Sequence, residues 1–432
     1  MLDLTDVLQP PPRTLSAFSQ RMVTSEILTM AYEVAERIRN GEDILNLTVG
    51  DFKPAEFPIP DGLSRALRSA LERGETNYPP APGIPQARRA VAGMFERRLG
   101  LKIPVDSVVM VSGARPAIAG AYLALVDPGD AVVYGLPSWN NNHYSRLVGA
   151  RMVELPTTPE NFFFPEPSQI EPHLKTARLI CLNTPQNPTG TVIRKDHLEA
   201  ICRMVVEENH RRERAHERGC YLLFDQVYWA LTFDGTEHVT PPHLVPEVAR
   251  YTVFADGISK GFAATGLRVG WAVAPTDVAA KIVTAEAHLG AWAPRAEQFA
   301  AAELLSDDGA MDAYLEQMRR KVLDRLTRLR KAILHFKEAG WNVDAIAPQG
   351  AIYLSIKLDL RGKKTRSGEV LETDQDIWRH VLEEAGIALV PFQGFGLTGD
   401  SQWFRASVGV ASVADCDSVQ GRLQRALDAL SD

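Results

Sequence analysis

The most reactive string in the chain is Asp256-Gly-Ile-Ser-Lys260, directly after the apolar run 252–255. A lysine packed among small residues at a strand end is desolvated, which lowers its pKa from about 10.4 towards that of a nucleophilic amine. Arg268, in Gly266-Leu-Arg268-Val-Gly270, offers a planar guanidinium fork suited to a phosphate. Taken separately, a surface lysine and a surface arginine are the ordinary account of each. Asp225 ends the apolar run 221–224, with Tyr228 three residues on. A carboxylate leaving a buried strand must find a partner or raise its pKa, which makes it a functional candidate; a helix cap is the plain alternative.

Two turns complete the set. In Val109-Met-Val-Ser-Gly113-Ala114-Arg115-Pro-Ala117, a small-residue turn joins a buried strand to a helix over 116–125. Such a turn offers free N–H groups and the positive end of a helix, about half a unit charge, to an anion. In Asn183-Thr-Pro-Gln-Asn187-Pro-Thr-Gly190, two prolines and a glycine constrain the backbone, and Asn183–Thr184 or Asn187–Pro188 is the expected place for a strained peptide. Each turn alone is only a turn. A third string, Gly394-Phe-Gly396-Leu-Thr-Gly399, matches the G-x-G-x-x-G dinucleotide pattern but is followed by Asp400-Ser-Gln-Trp-Phe-Arg405. That reads as a turn entering a strand, not the helix a pyrophosphate needs, so a flexible loop on the substrate side is expected instead.

The elements that position these residues show in the hydrophobic pattern. Residues 25–40 and 61–73 have helical spacing and stop at Gly41 and Gly74, with a short strand at 44–49 between them. The runs 108–111, 131–134, 179–182, 221–224, 252–255 and 269–273 are nearly all apolar, as strands buried on both faces are. Helical stretches separate them, so an α/β fold is expected, with a mainly parallel large-domain sheet covered by helices. Residues 311–338 read as a long helix with one apolar stripe, and its basic cluster (Arg319, Arg320, Lys321, Arg325, Arg328, Arg330, Lys331) reads as a solvated face. Strands at 351–356, 387–390 and 404–408 and helices at 374–384 and 412–430 fit a smaller α+β domain. The expected division is an N-terminal arm with part of the small domain over 1–60, a large domain over 61–305 and a small C-terminal domain over 306–432.

Composition sets limits. The chain has 432 residues, 45% of them hydrophobic and 23% charged, with net charge −7. That is a globular composition, and the acidic balance argues against nucleic acid or an anionic membrane as partner. Cys181, Cys202, Cys220 and Cys416 lie far apart with no metal-binding spacing, which excludes a disulfide framework and a structural zinc site. No apolar run approaches the roughly 18 residues of a membrane span. The acidic, proline-rich residues 1–14 lack the pattern of a signal peptide. The expectation is a soluble cytoplasmic enzyme without a metal.

Taken together and in this order, the segments resemble the pyridoxal-phosphate (PLP) aminotransferases of class I/II, the fold type I group like aspartate aminotransferase. The likeness runs from Leu47-Thr-Val-Gly50 to Arg405 and rests on the 183–190 string, Asp225 with Tyr228, and Ser259-Lys260 with Arg268. Thr76-Asn-Tyr78-Pro-Pro-Ala-Pro-Gly83 is a further family-like segment. The resemblance implies that Lys260 carries the cofactor covalently and moves the proton between Cα and the cofactor. It implies that Asp225 pairs with the ring nitrogen, that Tyr228 and Asn187 bind the phenolic oxygen, and that Trp139 stacks on the ring. Backbone N–H groups of Gly113, Ala114 and Arg115, with Ser259 and Arg268, match the phosphate cradle. Tyr78 matches a tyrosine that reaches the phosphate from a neighbouring subunit, implying a homodimer. Arg405 matches the arginine that takes the substrate α-carboxylate, and Gly50, Trp139 and Asn187 line the same pocket.

The chain departs from its relatives at Gly257, where many have a hydroxyl residue, at Trp292-Ala293 before Pro294, and at Gln226, where Glu is usual. The implied reaction moves an amino group between an L-amino acid and a 2-oxo acid. An acidic donor such as aspartate with 2-oxoglutarate as acceptor is the specific expectation, with Lys53 or Arg295 as the second cation. An aromatic lining of Trp139, Tyr144, Trp292 and Tyr353 equally suits an apolar or aromatic side chain. Another PLP-dependent reaction on the same scaffold, a lyase or cyclase, remains the alternative. A catalytically idle ligand-binding relative would need a DNA-binding module, for which residues 1–25 are too short, and an eroded catalytic set.

Overall fold

The computed structural model describes residues 3–5, 15–20 and 22–431, so most of the proline-rich lead lies outside the described residues. The strands in chain order are β1 (Leu45–Asn46), β2 (Val108–Val111), β3 (Ala131–Leu136), β4 (Arg151–Pro156), β5 (Ala177–Asn183), β6 (Tyr221–Asp225), β7 (Thr252–Gly257), β8 (Gly270–Val273), β9 (Val343–Ala345), β10 (Tyr353–Leu358), β11 (Ile387–Ala388), β12 (Val390–Pro391) and β13 (Trp403–Ser407). Seven of them form one sheet in the order β2-β8-β7-β6-β5-β3-β4. Only β8 runs against its neighbours in this sheet. The all-apolar runs are its central strands, buried on both faces by helices including Ala114–Leu125, Lys195–Arg214 and Thr276–Leu289. The edge strand β4 escaped the sequence pattern because its burial alternates, with Arg151, Glu154 and Pro156 exposed and Val153 and Leu155 buried.

A second sheet runs β12-β13-β10-β9, all antiparallel, and β1 pairs in parallel with β11. The single strand expected at 387–390 is therefore two. Ile387–Ala388 turns to β1, whereas Val390–Pro391 turns to β13, and no periodicity reports such a change of partner. The strand expected from residue 351 begins at Tyr353. Before it, Gly350 N–H donates to Gly190 O at 3.0 Å and Ala351 N–H to Leu231 O at 2.8 Å, bonding this segment to loops of the large sheet.

The large-sheet cores draw on residues from Leu63 to Leu315. A further core joins Val34, Leu45, Leu47, Phe52 and Phe57 to residues from Met318 to Leu427, and Val227, Tyr228, Leu231, Phe233 and Ala263 belong to it. The long helix, Asp308–Glu338, crosses between them. Its basic face is not simply solvated. Arg325 is buried, bonding Glu56 at 2.6 Å and Ala411 O at 2.8 Å, while Arg328 bridges Asp324 and Asp417. The cluster ties the helix to both ends of the chain, a long-range use that spacing along one helix does not reveal. All four cysteines are buried and free. No helix among the described residues is long and apolar enough to cross a membrane, and none of their His, Cys, Asp and Glu side chains cluster to hold a metal.

Candidate active site

Lys260 sits in a four-residue helix, Ile258–Gly261, that follows β7 directly. The turn is tight: a Cβ on Gly257 would lie 2.8 Å from Val269 O and 2.9 Å from Gly270 Cα. Only a residue without a side chain lets the Lys260 turn pack on the start of β8. Lys260 Nζ donates to Gly50 O at 2.6 Å and stands about equally far from the Phe52 and Tyr228 rings, 6.0 and 5.9 Å. Burial brings its pKa down to about 8, with the charges of Arg405, Arg115 and Arg268 adding and Asp51 opposing. A neutral amine, the nucleophilic form, is therefore well populated near physiological pH.

Asp225 ends β6, one strand away, and is buried. Its Oδ1 accepts Val227 N–H at 3.2 Å, and its backbone O accepts Thr184 N–H and Asn183 Nδ2 at 3.0 and 3.1 Å. Burial raises its pKa to about 7, against the Val227 hydrogen bond and the Lys260 charge. Such a carboxyl calls for a cationic donor.

The 183–190 loop holds cis peptides at Thr184–Pro185 and Asn187–Pro188. The Asn183–Thr184 bond is thus not the special one; its neighbour is. Asn183 Oδ1 accepts Asn187 N–H at 2.7 Å, and Asn187 Oδ1 accepts from Arg405 Nη1 at 2.9 Å.

Arg405, on β13, is 1% exposed and lies between the rings of Tyr353 (4.7 Å) and Phe395 (4.8 Å). It also donates to Thr48 O, while its Nε is buried with no partner. A buried guanidinium without a carboxylate is costly, so the arrangement suits an incoming carboxylate. Tyr353, read from sequence only as lining, shares a hydrogen bond of 2.7 Å with the Tyr228 hydroxyl. A Cβ on Gly50 would stand 2.6 Å from the Tyr353 hydroxyl, so glycine there leaves room for it.

Arg268 takes the left-handed conformation (φ 55°) and donates to Ser112 O at 2.9 Å and Thr265 O at 2.8 Å. Its guanidinium covers Gly113, where a Cβ would fall 2.5 Å from Nη2. Gly113 caps the Ala114–Leu125 helix without any side-chain bond, and its own N–H is taken by Val111 O at 2.8 Å. The free donors of this helix start are then Ala114 and Arg115, which have no carbonyl four residues back within the helix. Ser259 is buried at the head of the Lys260 turn. Trp139 lies between Arg115, whose guanidinium covers its ring at 5.0 Å, and Phe395 at 6.4 Å. The segment 394–399 is no nucleotide loop: the 3-10 turn Phe392–Phe395 ends at left-handed Gly396, and β13 follows.

Not every expected residue converges. Tyr78 is 82% exposed and touches Trp292 at 5.5 Å, with no hydrogen bond among the described residues. Arg295 pairs with Glu75 at 2.7 Å, and Lys53 is exposed. Tyr144 is buried beside Tyr122. Thr48 and Phe395 join the site without having been singled out; their signals, a backbone carbonyl and an aromatic in a glycine loop, are too common to stand out.

An anion cradle at a helix start, a desolvated amine, a buried carboxyl without a cation and a buried guanidinium without an anion define a site for a phosphorylated carbonyl cofactor and a carboxylate substrate. The sequence profile described as Aminotransferase class I and II matches residues 42–423, and the chain belongs to that family. It is a PLP-dependent aminotransferase. It is 30% identical over 390 residues to the aspartate/prephenate aminotransferase of Thermus thermophilus, covering 90% of this chain and 93% of that one. It is 28% identical over 412 residues to the aspartate aminotransferase of Rhizobium meliloti, with 94% of each chain covered. The solved structure of aspartate aminotransferase from Thermus thermophilus with maleate superposes with a TM-score of 0.83 at 28% identity, over 96% of this chain and all of that one. The Rhizobium meliloti structure superposes at 0.86 and 26% identity, over 97% and 100%.

Proposed function

We propose that the chain transfers the amino group of an acidic L-amino acid such as aspartate to 2-oxoglutarate, as a cytoplasmic homodimer, with the residues above in the roles their positions suit. The carrying observation is the desolvated Lys260 amine, held on Gly50 O close to both Tyr228 and Phe52. PLP, when bound, supplies a carbonyl that takes the amino group and a ring that accepts electrons from Cα. Ala114 and Arg115 N–H, Ser259 and Arg268 would hold its phosphate, Asp225 would keep the ring nitrogen protonated, Tyr228 and Asn187 would bond the phenolic oxygen, and Trp139 would cover the ring. Arg405 binds the substrate α-carboxylate beside Gly50, and Lys260 moves the proton at Cα. The packing of residues 34–57 with those beyond 318 supports a small domain built from both chain ends. Incubation with donor alone separates the reactions: transfer yields stoichiometric pyridoxamine phosphate, whereas a lyase releases ammonia without it.

The donor is the finer question. The two relatives named above carry aspartate in their names. A distal carboxylate needs its own cation, since an unpaired buried charge is costly. Arg295→Ala is expected to lower turnover of aspartate and asparagine equally, because Glu75 already holds its charge. In Lys53→Ala, a loss for aspartate alone of about 10²-fold assigns the distal contact to Lys53. Equal losses in both variants would remove both residues from donor selection.

The homodimer reading rests on Tyr78, whose ring is largely exposed and packs only edge-on against Trp292 among the described residues. If it serves the partner's site, mixing Tyr78→Phe with Lys260→Ala chains makes hybrids in which one site carries both lesions and the other neither. Activity is then expected to exceed the sum of the two parents; strict additivity would contradict a shared site.

A further inference from the structure

Two carboxyls end neighbouring central strands, and the chemistry above uses one. Asp225 ends β6; Asp256, next to last in β7, is wholly buried. Ala255 is the register partner of Asp225, so Asp256 projects from the opposite face of the sheet, where Gln226 lies. There Gln226 Nε2 and Asp256 Oδ2 are 3.4 Å apart, and Asp256 Oδ1 accepts Gly257 N–H at 2.7 Å. His238 Nε2 meets Gln226 Oε1 at 3.3 Å. Gln226 is itself wholly buried, and its backbone N–H donates to Ala255 O at 3.0 Å. The cluster therefore bonds the residue after Asp225 to the residue that opens the Lys260 turn.

We propose that Asp256 is a positioning residue of the amino-transfer site: bonded to Gln226 and to Gly257 N–H, it staples the turn that carries Lys260 to the strand end that carries Asp225. The staple works with Asp256 as the neutral acid. Burial holds its carboxyl well above the usual carboxylate range and the Asp225 charge adds to this, while hydrogen bonds from Gly257, Gln226 and Trp229 oppose. The titratable groups that act on it are Asp225, through the sheet from β6, and, on its own face through Gln226, His238, which burial and His243 keep neutral. No cation among the described residues pairs with it, so burial prevails. An acid and a primary amide are complementary, the acid O–H donating to the amide oxygen, and both long contacts of Gln226 admit either amide orientation. In that arrangement the Gln226 amide is turned end for end: the bond from Gln226 Nε2 to Asp256 Oδ2 is replaced by one from the acid to the amide oxygen, and Gln226 Nε2 donates to His238 Nε2, whose ring proton is then on Nδ1.

The test uses Asp256→Asn, Asp256→Ala and Gln226→Leu. Loosening the staple displaces Lys260 from Asp225, and a misplacement of about 1 Å costs about 10²-fold. Asp256→Ala and Gln226→Leu are expected to lose that much kcat with little change in KM. Asp256→Asn, which keeps an acceptor and supplies an N–H donor where the acid has its O–H, is expected to keep kcat within a few fold of wild type. Full activity in Asp256→Ala, or an Asp256→Asn enzyme that is folded yet as slow as Asp256→Ala, overturns the proposal. A readout free of cofactor stands beside this. Infrared spectra of the apo-protein at neutral pH, wild type minus Asp256→Asn, should show a protonated-carboxyl band, and its absence overturns the neutral staple even where Asp256→Ala fails to fold. The proposal rests on the roles given to Lys260 and Asp225; borohydride trapping of the cofactor on Lys260 in each variant tests that reading separately.

Discussion

Lys260→Ala is expected to lower kcat by at least about 10⁴-fold, the upper range for a single acid–base group, because in the function proposed above the amine both links the cofactor and moves the proton. No neighbouring group replaces it: Tyr228 and Tyr353 are buried and share one hydrogen bond, and burial raises the pKa of each, which makes them poor bases. The variant still binds PLP, since the helix start and Arg268 do not depend on Lys260. Borohydride reduction followed by peptide mapping locates the adduct, and an adduct on another lysine would refute the assignment. The pH dependence has a definite sign. Burial disfavours the charged amine, so attachment of PLP to the apo-protein speeds up as pH rises through about 8, well below the 10.5 of a free lysine. Attachment that rises only near 10.5 would mean that Lys260 is solvated.

Asp225→Ala is the second large effect. Removing one member of a buried charge pair costs about 3–5 kcal/mol, so kcat should fall by roughly 10²–10⁴-fold. The same residue leaves a mark on the empty protein. Its pKa is about 7 folded against 3.8 as an ordinary Asp, so the folded state holds a proton that the unfolded chain has lost. The stabilising contribution is fully present below about pH 4 and is lost as pH rises through about 7, when burial of the anion must be borne. Urea unfolding of the apo-protein should therefore weaken between these limits, and Asp225→Asn should flatten that slope. An unchanged slope would mean that the carboxyl is solvated or paired. Added PLP should restore stability at high pH in wild type more than in Asp225→Asn, since a protonated ring nitrogen offsets the buried charge.

Much of this site was legible because its groups sit where the chain changes state. Asp225 and Lys260 each follow an apolar run of strand length, and such runs need no knowledge of the fold to be seen. The order of the segments carried the family, and the fold class came from strands alternating with helices. The alternating burial of edge strand β4 hid it, and residues 387–391 concealed two strands, because partner choice is a long-range matter. The basic face of the Asp308–Glu338 helix misled for the same reason: Arg325 meets Glu56, 269 residues away.

By itself, then, the sequence determined the class of chemistry: an amine, a carboxyl and an arginine fork at the ends of buried strands, with small-residue turns that leave room for a phosphate. Local rules suffice there, since desolvation at a strand end and free N–H groups at a helix start follow from neighbouring residues. Only the tertiary structure decided who meets whom. It set Arg405 against Asn187, Thr48, Tyr353 and Phe395, drawn from separate parts of the chain. It bonded Tyr353 to Tyr228 and committed Arg295 to Glu75. It also placed Asp256 behind Asp225 on the far face of the sheet, with Gln226 between the two strand ends. Those contacts join residues up to hundreds of positions apart, and their energies depend on burial and distance, which exist only once the chain has closed on itself.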